Sequence, residues 1–191
     1  MELRSAHGLV LRPFDDGDAP AFATAARESV QSVGRWMPWC HASYTQRDAL
    51  DWFALCRSSE TSGTAFEFGV FGADARELLG GAGLNLINRQ HALCNLGYWV
   101  RESRQRRGIA TDCAATLIQF GFATLGLSRI EIVVAQGNEA SVAVARKAGG
   151  LLECVARNRL LIHGTPLPAL VFSLIPGPTV NPGAAPGDAR P

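Results

Sequence analysis

The sequence predicts one α/β domain, of the α+β kind, around a mixed and mostly antiparallel central sheet. Three segments of apolar and β-forming residues, 65–71, 78–86 and 93–100, follow one another across short turns, which is typical of consecutive antiparallel strands. After them strands and helices alternate, as in a βαβ unit. With 191 residues, of which 47% are hydrophobic and 18% charged, the chain can bury the core of a single domain.

The first sixty residues predict a strand, a helix, an irregular loop and a second helix. Residues 8–12 form a short apolar strand, and residues 18–30 carry Ala, Phe and Val at helical spacing. Residues 34–39, GRWMPW, are too rich in Pro and Trp for regular structure. Thr45 begins a T-x-x-D pattern that resembles a capping box, so we expect a helix from there to about Arg57.

The second half of the chain contains the alternating elements. They are a helix over 109–124, an apolar strand over 129–135, a helix from Asn138 to the Gly149–Gly150 pair, and two final strands at 151–162 and 169–175. From Pro176 onward the chain is rich in Pro, Gly and Ala. We therefore expect a folded domain over 1–175 and a disordered tail over 176–191.

Charge and cysteine content exclude several classes of function. The formal net charge is +1, and the cationic residues, all but one of them Arg, are scattered, so we expect no nucleic-acid partner. The five Cys are odd in number and never form a C-x-x-C pair, which favours reduced thiols in the cytoplasm and no metal site. Long apolar runs are missing from the sequence, so we expect neither export nor a membrane span.

A polar segment between a predicted strand and a predicted helix is the strongest candidate for a binding site. Backbone N–H groups at the start of a helix can face an anion. Gly108 allows close approach of the backbone, and Ala110 is too small to obstruct a phosphate. The segment consists of Gln105, Arg106, Arg107, Gly108, Ile109 and Ala110, and its two Arg residues add positive charge. Taken alone, it fits a pyrophosphate cradle and a solvated turn equally well.

This segment resembles the Q/R-x-x-G-x-G/A signature of the GNAT acetyltransferase superfamily, with Ala110 in the last small position. It follows LGYWV at 96–100, and NEAS at 138–141 with ARKAG at 145–149 resembles the second cofactor-side motif of the superfamily. The motifs occur in the family's order, so the resemblance covers residues 8–175. Within the superfamily the chain is most similar to the Rim-type ribosomal-protein N-terminal acetyltransferases, through its WMPW, GYW, ES and LE segments.

The resemblance implies a GNAT fold, in which the sheet is splayed in its middle and helices cover both faces. Acetyl-CoA would place its pantetheine arm in the gap, like an additional strand. By the same similarity, Val100 provides backbone hydrogen bonds to pantetheine and the thioester, and residues 105–110 hold the pyrophosphate. Asn138 would bond the pantetheine arm. Ser141 would lie near the sulfur and donate a proton to the leaving thiolate.

The general base is left open between two glutamates and solvent. An amine with a pKa of about 8 to 10 must lose a proton before it attacks a thioester. Rim-type enzymes usually carry an acidic residue on the penultimate strand, where this chain has Arg159 and Leu160. Glu67 and Glu131 lie between apolar neighbours on predicted strands, and either would fit as a base with a raised pKa. An exposed or ion-paired glutamate is the plainer interpretation of both.

The sequence supports two functions. The first is an N-acetyltransferase that moves an acetyl group from acetyl-CoA to a primary amine, either a protein N-terminus or a small molecule. Trp36 and Trp39 then belong either to the core or to the acceptor mouth. PLPA at 166–169 replaces the acidic, histidine-bearing segment of the Rim-type enzymes, and this departure leaves room for an acceptor other than a ribosomal protein. The second is a catalytically silent GNAT-fold module that binds acyl-CoA as a sensor or assembly partner.

A third class of function can be tested against the sequence, whereas no segment of it identifies an oligomeric interface. A nucleotide-binding oxidoreductase would need a G-x-G-x-x-G motif after an early strand, and the chain has none. A homodimer is compatible with either function, since enzymes of this kind often pair through their sheets or terminal strands.

Overall fold

The computed structural model describes residues 1–177, which form eight strands and four α-helices around one sheet. The strands are β1 (Leu3–Arg4), β2 (Val10–Arg12), β3 (Phe66–Phe71), β4 (Leu78–Asn88), β5 (Leu93–Val100), β6 (Arg129–Ala135), β7 (Leu151–Ile162) and β8 (Thr165–Leu174). The helices are α1 (Ala19–Glu28), α2 (Gln46–Ser62), α3 (Ile109–Ala123) and α4 (Glu139–Lys147). The predicted α/β class with a mostly antiparallel sheet is confirmed.

A parallel pair lies in the middle of the sheet, whose strand order is β1-β2-β3-β4-β5-β6-β8-β7. The chain crosses over from β5 to β6 through α3, which makes these two strands parallel, while the other described neighbours are antiparallel. The pairing of β5 with β6 extends from Leu93 to Asn95. Beyond Asn95 the strands part, so the rest of β5, up to Val100, borders a gap.

The helices cover both faces of the sheet. Side chains alternate between the faces along each strand, and each face has its own apolar cluster. Phe22 and Phe53 pack with Trp99 beneath α1 and α2. Leu96 and Leu117 belong to the larger cluster beneath α3 and α4. Neighbouring residues of β5 therefore point toward different helix layers.

The second helix begins where the capping box predicts it. The Thr45 hydroxyl accepts a hydrogen bond from the Asp48 N–H (3.2 Å), and the Asp48 carboxylate accepts one from the Thr45 N–H (2.7 Å). The helix continues past Arg57 to Ser62, because the polar stretch SSETS contains no helix breaker. It ends at Gly63, whose φ of +66° only glycine adopts without strain.

The last strands differ from their predicted bounds at one end. β8 begins at Thr165 rather than at 169, because Thr165 and Pro166 pair with Ile162 and Leu161 of β7. Pairing of β8 with β6 starts only at Ala169, so Pro166 lies where β8 has one neighbour and a proline is tolerated. β1 is not among the predicted elements, since its two residues carry no periodic signal. Most of the predicted tail, from residue 178 onward, lies outside the described residues. Within residues 1–177, none of the helices combines the length and hydrophobicity that crossing a bilayer needs.

Candidate active site

The gap between β5 and β6 presents backbone hydrogen-bonding groups of β5. The Arg101 N–H donates to the Leu79 carbonyl on the β4 side, at 2.9 Å. Because successive strand residues direct their backbone groups to opposite edges, the N–H and C=O of Val100 face the gap. Gln105 Nε2 donates to the Val100 carbonyl at 2.9 Å and to the Ser32 hydroxyl at 3.1 Å. The Val100 N–H stays directed at the gap.

The N-terminus of α3 is built to receive an anion. Gly108 occupies the N-cap position with φ +79°, and no side chain of the described residues caps the helix there. A Cβ at Gly108 would meet open space, so the positive φ is what requires glycine. Arg106, itself at φ +61°, and Arg107 lie exposed beside this end of the helix. Uncapped N–H groups, from Ile109 and Ala110 onward, and the helix dipole fit a pyrophosphate.

Gln105 differs from the other residues of the cradle. Its backbone N–H donates to the Glu102 carbonyl at 3.2 Å, and its side chain is turned back toward Val100 and Ser32. Gln105 therefore connects the gap to the segment that follows α1. The geometry gives it a role in holding Val100 rather than in facing a phosphate.

A polar cluster ties the end of α1 to the segment that follows β5. The Arg101 guanidinium donates to both carboxylate oxygens of Glu28, at 2.8 and 2.5 Å, and Ser103 donates to the same carboxylate. The Arg101 hydrogen bonds are the main reason why the pKa of Glu28 is lowered to about 2. Ser29 accepts from the Glu102 N–H at 3.0 Å. This cluster fixes the chain that leads from the gap into the cradle.

The start of α4 brings Ser141 to the side of the gap that faces α3 and α4. Asn138 is the N-cap residue, and its side-chain oxygen accepts from the Ser141 N–H at 3.2 Å. The Ser141 hydroxyl is 2.8 Å from the Tyr98 hydroxyl, and Tyr98 also donates to the Ser141 carbonyl at 3.2 Å. Burial raises the pKa of Tyr98 to about 12. Tyr98 is thus a neutral partner of Ser141.

Sequence reasoning missed Tyr98, although a signal for it was present. Tyr98 is next to Trp99 in β5, and Trp99 packs against Phe22 of α1, with ring centroids 5.2 Å apart. Strand alternation then directs Tyr98 to the opposite face, where the helix bearing Ser141 lies. A tyrosine in the splayed part of β5 was therefore a candidate contact of α4.

A cavity of about 520 Å³ lies on the other face, between the sheet and the α1–α2 layer. Its walls contain many aromatic side chains, among them Trp39, Tyr44 and Trp99, and its lining reaches β5 at Gly97 to Trp99, where that strand borders the gap. Glycines form much of the sheet surface in this region, namely Gly81 and Gly83 on β4 and Gly97 on β5. The cavity and the gap thus meet along the same part of β5.

Glu67 lies in this cavity and is held in a fixed position. Its carboxylate accepts from Asn85 Nδ2 at 2.9 Å, and the Asn85 side-chain oxygen accepts from Asn95 Nδ2 at 2.9 Å. Gly83 pairs with Glu67 across the strands, and a Cβ there would overlap a carboxylate oxygen of Glu67. Burial raises the pKa of Glu67, against the smaller opposing effect of the Asn85 hydrogen bond. These are properties of a candidate base.

Glu131 has a different environment. Its carboxylate accepts from Arg129 Nε at 3.0 Å and from Arg129 Nη2 at 2.8 Å, and the same guanidinium also binds Glu153. Ser173 donates to Glu153 as well. Glu131 does not belong to the cavity lining. The structure therefore brings Glu67, but not Glu131, into the cavity that reaches β5.

The two tryptophans of the loop after α1 have separate positions. Trp39 lines the cavity and packs edge-on against Trp99, with ring centroids 5.3 Å apart. The Trp36 ring lies beneath the Arg35 guanidinium and approaches Gly137, where a Cβ would be 3.8 Å from the ring. Trp36 thus contacts the turn before α4, whereas Trp39 lines the cavity beneath α1 and α2.

Groups for two opposite proton transfers therefore flank the gap. The carboxyl of Glu67 can accept a proton on one face of the sheet, and the Ser141–Tyr98 hydroxyl pair can donate one on the other. A backbone N–H in the gap can stabilise negative charge that develops on a carbonyl oxygen. Within residues 1–177 no cluster of three or more His, Cys, Asp or Glu side chains is arranged to hold a metal ion.

Comparison with known proteins identifies the family of the chain. The family model described as acetyltransferase (GNAT) domain matches residues 8–150. The chain is 27% identical over 180 residues to YoaA of Bacillus subtilis (strain 168), described as an uncharacterized N-acetyltransferase, with 87% of this chain and 93% of YoaA covered.

Two solved structures share the fold over almost their full length. One, from Vibrio cholerae and provisionally described as a ribosomal-protein-serine acetyltransferase, is 31% identical, with a TM-score of 0.82 and coverage of 92% of this chain and 98% of that one. The other is RimL, the ribosomal L7/L12 alpha-N-protein acetyltransferase, in complex with coenzyme A. It is 22% identical, with a TM-score of 0.83 and the same coverage, and its likeness concerns the fold.

Proposed function

The chain belongs to the GNAT acetyltransferase family and is an acyl-CoA-dependent N-acetyltransferase, and we propose that it moves the acetyl group directly to a bound primary amine. The acceptor is a small-molecule amine or a peptide N-terminus, held together with acetyl-CoA in a ternary complex. The observation that carries this proposal is the placement of Glu67 and the Ser141–Tyr98 pair on opposite faces of the sheet, beside the part of β5 that borders the gap.

The residues of the gap and the cradle fit acetyl-CoA. The uncapped start of α3, with Gly108 at φ +79°, would hold the pyrophosphate, and Arg106 and Arg107 would add positive charge. The unpaired edge of β5 and the side chain of Asn138 would hold the pantetheine arm. When bound, acetyl-CoA supplies an acetyl group activated as a thioester.

On the acceptor side of the sheet, Glu67 removes a proton from the amine. A primary amine is mostly protonated at neutral pH, since its pKa is about 8 to 10, and its cation would be drawn to the carboxylate of Glu67. Burial raises the pKa of Glu67 and makes it a stronger base than an exposed glutamate. Asn85 keeps the carboxylate in place with its 2.9 Å hydrogen bond, so Glu67 accepts the proton directly or through one water.

On the cofactor side, the Val100 N–H stabilises the negative charge of the reacting carbonyl oxygen, and Ser141 supplies a proton to the leaving thiolate. The Val100 N–H, which faces the gap, donates to the carbonyl oxygen as negative charge develops there, and Gln105 holds Val100 through its carbonyl. The Ser141 hydroxyl donates its proton to the departing thiolate. The Tyr98 hydroxyl has one proton. When it donates that proton to Ser141 Oγ at 2.8 Å, instead of to the Ser141 carbonyl at 3.2 Å, the serine proton is directed at the sulfur.

Binding and thiol release together test this proposal. We expect calorimetry to detect acetyl-CoA binding, and we expect free thiol to appear only after an amine is added. Binding without thiol release from any amine or N-terminal peptide would favour the alternative, a silent acyl-CoA sensor. We place the reaction in the cytoplasm, which the five unpaired cysteines support.

A further inference from the structure

The acceptor cavity has an apolar wall that continues from its floor to its mouth. At the base, Trp39 contacts both Trp99 and Tyr44, with ring centroids 5.3 Å and 5.7 Å apart. At the mouth, Trp52 and Leu55 of α2 line the cavity and are 37% and 60% exposed. A continuous wall of this kind fits a ligand with an apolar or aromatic body.

The charges that line the cavity are mainly acidic. Asp48, Asp51 and Glu67 contribute carboxylates, and among the lining residues, all of which the structure describes, His41 is the one side chain able to carry a positive charge. Two guanidinium groups of the described residues contact lining residues and both have partners: Arg47 is exposed and pairs with Asp51 at 3.1 Å, and Arg27 donates to the Tyr44 carbonyl at 2.9 Å. The cavity therefore favours a cation and offers no built partner for an anion.

This charge pattern matters most at the carbon that bears the acceptor amine. An amine placed against Glu67 brings any carboxylate on the same carbon into the same part of the cavity. That carboxylate would be desolvated and repelled by Glu67. The cavity lining has no arginine to bind it through two hydrogen bonds, as sites for α-carboxylates do. An amide or a hydrogen at that position meets no such penalty, so the cavity discriminates by repulsion.

We propose that the acceptor is a primary amine with an apolar or aromatic body and no carboxylate on the amine-bearing carbon. Free amino acids are excluded, whereas arylalkylamines and peptides with an apolar or aromatic first residue are accepted. The inference rests on the proposed function, because it names the substrate of the same site. Arylalkylamines and peptides share this chemistry and differ in whether the amine-bearing carbon carries a hydrogen or a peptide carbonyl.

Four acceptors with one indole body separate these possibilities. They are tryptamine, tryptophan amide, a short peptide that begins with tryptophan, and free tryptophan, each assayed for thiol release from acetyl-CoA by the wild-type chain. We expect kcat/KM for free tryptophan to be lower by about 100-fold than for tryptophan amide, in line with the cost of an unpaired charge in a partly buried site. Preference for tryptamine indicates a free amine as the natural source, and preference for the peptide indicates an N-terminus.

Two variants test the charge of the cavity and its apolar wall separately. Leu55→Arg at the mouth would give a carboxylate a partner, so kcat/KM for free tryptophan should rise relative to tryptamine. Trp52→Ala should raise KM for tryptamine while acetyl-CoA binding stays unchanged. Leu161→Ala, which removes an exposed leucine of β7 outside the cavity lining, is the matched control and should behave like wild type.

The outcomes distinguish this inference from the proposed function. Equal kcat/KM for free tryptophan and tryptophan amide would overturn the inference and leave the transferase intact. Faster acetylation of ethanolamine, which has no apolar body, than of tryptamine would do the same. Bound acetyl-CoA with no thiol release from any amine would overturn the proposed function, and the inference with it.

Discussion

Glu67 has two properties that a purely structural glutamate does not need. Its carboxyl lies over the bare backbone of Gly83, in a position that any larger residue would fill. Its pKa is raised because burial disfavours the charged form. A buried carboxyl that costs stability and is held by Asn85 inside a cavity fits a role in the reaction.

The first prediction concerns the pH dependence of Glu67→Gln. Glu67 must be ionised to act as a base, so wild-type kcat/KM should fall as the pH drops through its raised pKa. The variant should lose this limb and about 100-fold of its rate at pH 7. Profiles measured with two amines of different pKa assign the limbs, because a limb that belongs to the acceptor moves with the amine.

Glu131→Gln is the matched control for this experiment. It makes the same chemical change in the ion pair with Arg129, outside the cavity lining, and should keep the limb. If the Glu67→Gln profile overlays that of wild type while Glu131→Gln loses the limb, the base is Glu131. If both profiles are unchanged, the proton leaves through solvent.

The second prediction concerns the stability of the same variant. The folded chain binds the Glu67 proton more tightly than the unfolded chain does, because its pKa is raised above the ordinary value of 4.5. Its ionisation therefore lowers the free energy of unfolding as the pH rises from about that value through the raised pKa. Glu67→Gln should be more stable than wild type in urea at pH 7, and the difference should shrink near pH 4. A less stable variant at pH 7 would mean that the Asn85 hydrogen bond outweighs desolvation.

The third prediction concerns Ser141. Ser141→Ala should lower kcat by about 100-fold, because the thiolate loses its proton donor, while calorimetry gives an unchanged Kd for acetyl-CoA. Tyr98→Phe should have a smaller effect on kcat, since Tyr98 acts through Ser141. Ser62→Ala, which removes an exposed hydroxyl at the end of α2, is the control. Equal kcat for Ser141→Ala and wild type would remove the serine from the mechanism.

At the residue scale, sequence patterns indicate candidates but cannot choose between them. Glu67 and Glu131 both stand between apolar neighbours, and only the fold shows that one faces the cavity and the other faces Arg129. The same holds for Trp36 and Trp39. Such choices depend on contacts between residues far apart in the chain, such as Glu67 with Asn85 and Tyr98 with Ser141, for which a single sequence holds no direct record.

At the scale of elements, the N-terminus of α3 carries the fourth prediction. Gly108→Glu places bulk and negative charge where the phosphate would lie, and should abolish acetyl-CoA binding in calorimetry. Gly126→Glu is a matched control after the other end of the helix. Gly126 also has a positive φ, +67°, and open space around its Cβ position, so the backbone strain is similar and binding should persist. Equal loss in both variants would point to misfolding instead.

The polar cluster between α1 and β5 carries the fifth prediction. The Arg101 hydrogen bonds lower the pKa of Glu28 from 4.5 to about 2, so the pair stabilises the fold above pH 4.5 and loses this effect as the pH falls toward 2. At pH 7, Glu28→Gln should lower the free energy of unfolding by about 1 kcal/mol. Asp51→Asn, which breaks an exposed i,i+4 pair with Arg47, should cost no more than about 0.5 kcal/mol.

Most elements were predictable because their signals are local. The bounds of β5 and β6 agree with the predicted 93–100 and 129–135, and α2 starts at its capping box. The end of α2 differs because the polar stretch before it has no apolar periodicity, although Gly63 itself is a stop signal. The start of β8 differs because it contains prolines that are acceptable only where β8 has a single pairing partner. The gap after Asn95 was expected from family resemblance, since no pattern within β5 marks where its pairing ends.

At the scale of the whole molecule, the sheet separates two kinds of chemistry. The acceptor cavity and Glu67 lie on the α1–α2 side, the cradle and Ser141 lie on the α3–α4 side, and β5 connects them at the gap. A homodimer stays a prediction. Its natural surface is the edge strand β7, where Leu151, Val155 and Leu161 are 71%, 53% and 69% exposed, and light scattering of the wild-type chain would measure it.

The most direct test of the central claim is to follow the acetyl group itself. The wild-type chain is incubated with tryptamine or an N-terminal peptide and with acetyl-CoA that carries an isotopically labelled acetyl group. The masses of the products are then measured by mass spectrometry. We predict that the label appears on the amine nitrogen in an amount equal to the free thiol formed. Acetyl-CoA that stays intact, or a label that appears only as acetate, would contradict direct transfer to an amine.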